Sequence, residues 1–259
     1  MRKLITIFFL LSVFLVKAQI NESDTEKFQI RTSFTGNFQK GNVEILTLKS
    51  KLEFTLVPVK NWVFKSQNSG LYQEFSENKA DNDIFSRNYL YFKPNKKLYP
   101  FIISYLSGNF RRKIDSRYFI GAGLTYQIIN NNKNVLKFSA STIYENTQYK
   151  TTSYNFEEYN DNDRISLWRG TVYLGGWNYI LEKKIRVYYD AFYQPAFNNN
   201  NNYRTQADMG FDFPLWKGLS FNTLYTISHE NVTPIKIKKD DKILTFGFAY
   251  NFKSTSKNK

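Results

Sequence analysis

An all-β fold, an antiparallel up-and-down transmembrane β-barrel of about twelve strands of the outer-membrane type, is predicted by three observations on the sequence. Polar and apolar residues alternate with period two in segments of about ten residues from Phe28 onward. The connectors between those segments are of two kinds, short and mostly longer, in strict turn. The last segment ends on Tyr250-Asn251-Phe252, and residues 1–18 read as an export signal.

At the N-terminus, Arg2 and Lys3 precede an apolar run from Leu4 to Val16, with Val16 and Ala18 at the two positions a signal peptidase reads. The run is about 13 residues, short of the roughly 20 a spanning helix needs. No cysteine follows to take a lipid anchor. Cleavage is expected after Ala18, leaving residues 19–27 as a periplasmic segment, 28–252 as the barrel and 253–259 as a basic tail.

Composition narrows the alternatives. The chain has no cysteine, which excludes a disulfide scaffold, a thiolate metal site and a cysteine nucleophile. Aromatic residues make up 18% of a chain whose mean hydropathy is only −0.50, which fits aromatic girdles at two membrane interfaces and a polar inner face. A soluble β-sandwich or lipocalin-like barrel is the alternative that composition leaves. The net charge of +14 falls to +11 without Arg2, Lys3 and Lys17. Export argues against nucleic acid as its partner, and an anionic lipid surface is expected instead.

The strands follow in order. Phe28, Ile30, Thr32, Phe34, Gly36 and Phe38 alternate with polar residues, as do Leu46, Leu48, Leu52, Phe54 and Leu56. The pattern returns at Tyr118–Ile128, Leu136–Tyr144, Val187–Tyr193, Ala207–Phe213, Phe221–Ile227 and Leu244–Phe252. Strands near 62–74, 84–92, 98–110 and 164–177 alternate more weakly. For 84–92 and 164–177 the pattern does not choose an outward face: Arg169 shares the parity of Ile165 and Leu167, where a mid-bilayer charge would cost about 2–4 kcal/mol.

Short connectors are expected at Pro58–Asn61, Pro94–Lys97, Asn130–Asn134, Leu181–Lys184 and Pro214–Gly218. The other kind is expected at Ser76–Asp83, Arg111–Asp115, Lys150–Asp163, Asn198–Asn202 and Glu230–Asp241. Short periplasmic turns alternating with longer external loops is how outer-membrane barrels are built, and a soluble barrel has no reason to sort its loops this way. The aromatic end of the last strand is of the type that outer-membrane assembly machinery recognises, so that machinery is an expected partner, with outer-membrane lipid and lipopolysaccharide.

Two segments carry a family resemblance. Gly41-Asn42 followed by the alternating Leu46–Leu56 is similar to the turn between the first two strands of the salt-induced outer-membrane protein family, the YdiY-like domain of unknown function 481. Tyr225-Thr226-Ile227-Ser228-His229-Glu230-Asn231, then Pro234, Lys239, Asp241 and Gly247–Phe252, resembles that family's closing hairpin, with one proline in the loop where a pair is expected. The resemblance spans the mature chain in layout and the first two and last two strands in specific motifs. It implies an outer-membrane barrel linked by name to salt response, with no established enzymatic role and no catalytic residues to carry over.

The residues offer little catalytic chemistry. His229 is the single histidine, and Ser228 beside it falls on the opposite face of a strand, the wrong placement for a nucleophile–base pair. Acidic clusters at Glu77, Asp81 and Asp83 and at Glu157, Glu158, Asp161 and Asp163 lack the ordered ligand spacing and turn glycine of a calcium loop. No enzyme, metal or cofactor is expected.

The inner parity is more informative. It carries Arg31, Lys49, Lys51, Glu53, Arg117, Lys137, Glu145, Arg186, Asp190, Arg204, Asp208 and Asp212, charges of both signs that either pair into a plug or line a narrow channel. Closure of the first strand on the last would bring Gly41 and Asn42 beside His229, Asn231, Lys239 and Asp241, a candidate external seam cluster that caps the seam or meets an ion or lipopolysaccharide. Long side chains in a twelve-strand lumen favour a closed structural or salt-adaptation barrel. The alternative is a small porin-like passive channel for ions or small solutes. No sequence feature sets an oligomeric state.

Overall fold

Side chains that alternate across a strand leave one wet and one greasy face, and only closure into a ring removes the unpaired edges that lipid cannot satisfy. The computed structural model describes residues 27–39, 45–182 and 184–254, with the side chains at 37–39, 79, 253 and 254 outside the description. The expected export signal and the Gly41-Asn42 turn lie outside the described residues.

Twelve antiparallel strands form one closed barrel in which each pairs with its sequence neighbours and β1 closes on β12. They are β1 Phe28–Gln39, β2 Ile45–Val59, β3 Trp62–Phe75, β4 Asn78–Phe92, β5 Leu98–Asn109, β6 Ile114–Asn130, β7 Asn134–Tyr149, β8 Arg164–Ile180, β9 Ile185–Pro195, β10 Tyr203–Trp216, β11 Leu219–Glu230 and β12 Asp240–Ser254. The closing register runs from Phe28 opposite Ser254 to Phe34 opposite Phe248. One 3-10 turn, Glu157–Tyr159, lies in the loop before β8.

Short turns sit at one end of the barrel, with the start of β1 and the end of β12. The loops sit at the other, and in barrels of this kind the two ends are periplasmic and external. One expected loop is corrected. Ser76–Asp83 is a two-residue turn, Ser76-Glu77, with φ of 46° and 62°, and β4 already begins at Asn78. A positive φ at both central residues suits the twist of a hairpin. The polar run Asn78–Asp83 reads as loop because neither parity of it carries large apolar residues, so no greasy face marks it. Arg111–Asp115 is likewise shorter, since β6 starts at Ile114.

Outward positions carry the apolar belt: Phe34, Ile84, Ile120, Leu244 and Phe246 are each at least 59% exposed. Trp62 packs on Phe92 at 4.9 Å near the turn end, and Trp168 on Tyr144 at 5.3 Å nearer the loop end, rings of the kind that sit at membrane interfaces.

The two undetermined strands now have faces. On β4 the even positions Ile84, Ser86, Asn88 and Leu90 lie outward, while Arg87 stacks on the inward rings of Phe85 and Tyr105. On β8 the odd positions Ile165, Leu167 and Arg169 are buried inside, and Trp168, Val172 and Leu174 are exposed outside. Arg169 therefore meets no lipid.

Candidate functional site

The barrel interior is the site where a specific activity would have to reside, and its walls differ. Toward the turn end, β3–β7 contribute a buried apolar cluster of Val63, Tyr91, Tyr99, Phe101, Ile103, Phe119 and Ile143. Tyr105 stacks on Phe119 at 4.7 Å and Tyr89 on Tyr91 at 5.4 Å. Composition pointed to a polar inner face, and this wall is apolar.

The facing wall holds paired charges. Asp212 accepts hydrogen bonds from Arg31 at 2.9 Å, from Asn222 at 2.6 Å and from Arg186. Glu53 is paired with Lys51 at 3.1 Å and Arg31 at 3.8 Å, and accepts from Gln67 at 2.8 Å. Arg31 on β1 thus reaches past β12 and β11 to Asp212 on β10.

Midway along the axis, Asp190 and Asp208 stand opposite each other in the β9–β10 register, and Lys49 donates to Thr245 at 3.2 Å. Lys137 is buried on the inner face of β7. Each charge expected in the lumen therefore lies on the inner face.

The loop end carries the densest network. Glu145 accepts from Arg169 at 3.2 Å and from Arg204, and lies 4.0 Å from Arg117. Arg117 donates to Glu230 at 2.5 Å, to Thr147 at 3.0 Å and to the Tyr149 hydroxyl at 3.2 Å. Arg169 also donates to Asn202 Oδ1 at 2.7 Å. Arg117 on β6 and Glu230 on β11 are five steps apart around a ring of twelve, so their bond crosses nearly the full width of the lumen. Arg112, in the β5–β6 connector, crosses to Asp241 on β12 at 2.7 Å. The cavity left among Arg117, Glu145, Arg169, Arg204 and Glu230 has room for about one water molecule.

Three external loops close over this network. Tyr154 and Val232 from two of them join Ile114, Tyr149, Ile165, Leu167 and Ala196 in a buried apolar cap. Tyr154 bridges to Pro234, and the Asn155 side chain both donates to Asn231 O and accepts from Thr233 N, at 2.8 Å each. Burial in the cap raises the Tyr154 phenol above its ordinary range.

Of the expected seam cluster, four residues are placed, and they make separate contacts. Gly41 and Asn42 are outside the described residues. His229 is on the outward parity of β11, bonded to Asp240 at 2.8 Å and stacked on Tyr203. Lys239 donates to Asn231 at 2.8 Å, while Asp241 turns inward to Arg112. Sequence reasoning missed Glu230 and Arg112 as lumen residues. The even parity of β11, shared by Ser220 and Asn222, extends to Glu230 and could have found it. Arg112 had no signal, because it sits in a connector.

Among the described residues no group of three or more His, Cys, Asp or Glu is arranged to hold a metal ion. The chain matches the family model described as "Protein of unknown function, DUF481" over residues 32–252. No curated protein matches it. Among solved structures, it is similar in fold to the NanC porin, at 11% identity and a TM-score of 0.49, covering 86% of this chain and 98% of that one. It is also similar to the translocator domain of the autotransporter NalP from Neisseria meningitidis, at 10% identity and a TM-score of 0.47, covering 97% and 94%. The COG4313 outer membrane channel from Pseudomonas putida F1 gives 10% identity and a TM-score of 0.47, covering 90% and 100%.

Proposed function

The chain belongs to the DUF481 family, and we propose that it is a closed outer-membrane barrel without enzymatic activity that serves the envelope structurally, in adaptation to salt or osmotic load. The observation that carries this reading is the Arg117–Glu230 pair, which spans the lumen at its loop end. A passive channel needs a continuous wet path, and here ion pairs cross it at the loop end while aromatic rings fill one wall toward the turn end. In this reading its partners are outer-membrane lipid and lipopolysaccharide around the belt, and the assembly machinery at β12 during insertion, after cleavage near Ala18.

The test is conductance of the purified chain in a planar bilayer, together with growth of a deletion strain at raised salt. No steady single-channel conductance and a salt-dependent growth defect are expected. A steady conductance from the unmodified protein would overturn the reading in favour of the alternative, a small porin-like passive channel. One observation favours that alternative: water reaches the middle of the lumen, where the Lys51 side chain is 35% exposed.

A further inference from the structure

At mid-strand, a patch of β3–β5 departs from the polarity of the rest of the barrel, although the outward Ile84, Ile102 and Leu106 around it are apolar and exposed. The inner positions of these strands carry Val63, Phe85, Tyr89, Tyr91, Phe101 and Ile103, as a soluble core would. Their outer positions carry Ser66, Asn68, Ser86, Asn88 and Ser104, in a register that sets Ser66 beside Asn88 and Asn88 beside Ser104. The assignment of faces is fixed by Gln67, which lies between Ser66 and Asn68 and donates to the inward Glu53 at 2.8 Å.

These outer polar groups form a hydrogen-bonded chain. Asn68 donates to Ser66 Oγ at 2.9 Å, Ser66 donates to Asn88 Oδ1 at 2.7 Å, and Asn88 donates to Ser86 Oγ at 3.2 Å. The chain leaves the Asn68 carbonyl oxygen and one amide hydrogen of each asparagine unused. Asn68 is the seventh residue of the fourteen in β3, and Asn88 the eleventh of fifteen in β4. The patch therefore lies inside the apolar belt, with Trp62 and Phe92 on its turn side and Tyr72 and Ile84 on its loop side. On the opposite wall, the same depth is covered by residues such as Met209 and Phe211 of β10.

Hydrocarbon offers carboxamides no hydrogen-bonding partner, so amides at this depth call for a protein surface. We propose that the outer face of β3–β5 is the contact between two copies of this chain in the membrane, with Asn68 and Asn88 at its centre. The patch has no charged residue on the outward positions from Trp62 to Tyr72 or from Ile84 to Phe92, so it does not select a charged partner. Its amides and hydroxyls are both donors and acceptors, which makes it self-complementary. A second copy presents the same groups at the same depth, and a twofold axis along the membrane normal lets two Asn68 amides exchange N–H···O bonds. Gly70 and the serines let the two walls approach closely.

The absence of native cysteine makes the test direct. Asn68→Cys, Ser86→Cys and, on the opposite wall, Met209→Cys would be expressed as the full chain and oxidised in the native outer membrane, with heat-modifiable migration checking that each is folded. Disulfide-linked dimers are expected from Asn68→Cys and Ser86→Cys and not from Met209→Cys. Native mass spectrometry of the unmodified chain should give a dimer, and Asn68→Leu with Asn88→Leu a folded monomer. The proposal is overturned by a monomeric unmodified chain with no cross-link at either patch position, by equal cross-linking at Met209→Cys, by a dimer that persists in the leucine variant, or by cross-links only to a different protein.

Discussion

Glu145→Gln tests whether the ion network holds the loop end of the barrel together. The carboxylate is shared by Arg117, Arg169 and Arg204, and all four side chains are less than 10% exposed. With Glu230 and the Arg112 that pairs with it at 3.4 Å, the cluster sets two carboxylates against four guanidinium groups, so the substitution takes it from −2/+4 to −1/+4. Each pair near 4 Å would contribute roughly 4 kcal/mol at an effective dielectric of 20, but much of that only offsets the desolvation of the ions. What remains is the cost of leaving buried cations uncompensated, about 3–5 kcal/mol for a broken buried pair. Glutamine keeps the shape and one acceptor, so the loss reads out charge rather than packing. Urea unfolding in detergent micelles, followed by tryptophan fluorescence, measures it. Asp115→Asn is the control: its pair with Lys150 is more than half exposed on both sides and should contribute about 0–1 kcal/mol. A Glu145→Gln loss no larger than that of the control would refute the reasoning.

Two further substitutions test the faces of the barrel. Phe246→Arg, at an outward position 64% exposed, should cost about 2–4 kcal/mol and lower the folded yield in the same assay, whereas the inward Lys49→Ala should fold at the unmodified yield. Equal tolerance of both would mean that the strand parity is wrong. Gly123→Ala should cost about 1–3 kcal/mol, because its Cβ would lie 2.4 Å from Ala140 O and 2.7 Å from the Phe101 ring; an unchanged unfolding midpoint would show that the wall is loose there.

Strand number, closure and the inward parity of Arg117, Glu145, Arg204 and Asp212 were legible because a period-two pattern survives wherever lipid lies on one side and polar groups on the other. It fails where that contrast fails. Ile165 and Leu167 are apolar and inward because the external cap covers them, so the parity of Arg169 could not be read from its neighbours. On β4, Phe85, Tyr89 and Tyr91 face in while Asn88 faces out, so a rule that equates greasy with outward has no correct answer to give there. Pairing across the lumen was not legible at all. Nothing local to Arg117 or Glu230 announces that residues 113 positions apart share a bond, and that bond carries the closed-barrel proposal.

The manner of closure bears on a role under salt load. Screening acts on charges that mobile ions can approach: the Debye length is about 8 Å at physiological ionic strength and 3 Å at 1 M, and buried pairs are screened much less. Around Glu145 and Glu230 the pairs lie beneath an apolar cap, and Asp212 and its arginines lie deep on the inner wall. Rising external salt therefore leaves those contacts in place. Contacts it reaches are at the rim, among them those of Arg111, 43% exposed, which holds Asp81 at 2.9 Å and Asp241 at 3.5 Å. A barrel whose seal lay among such rim pairs would loosen as salt rose. On the closed-barrel proposal the seal lies one layer deeper, where its strength would depend on geometry and burial rather than on the ionic strength outside.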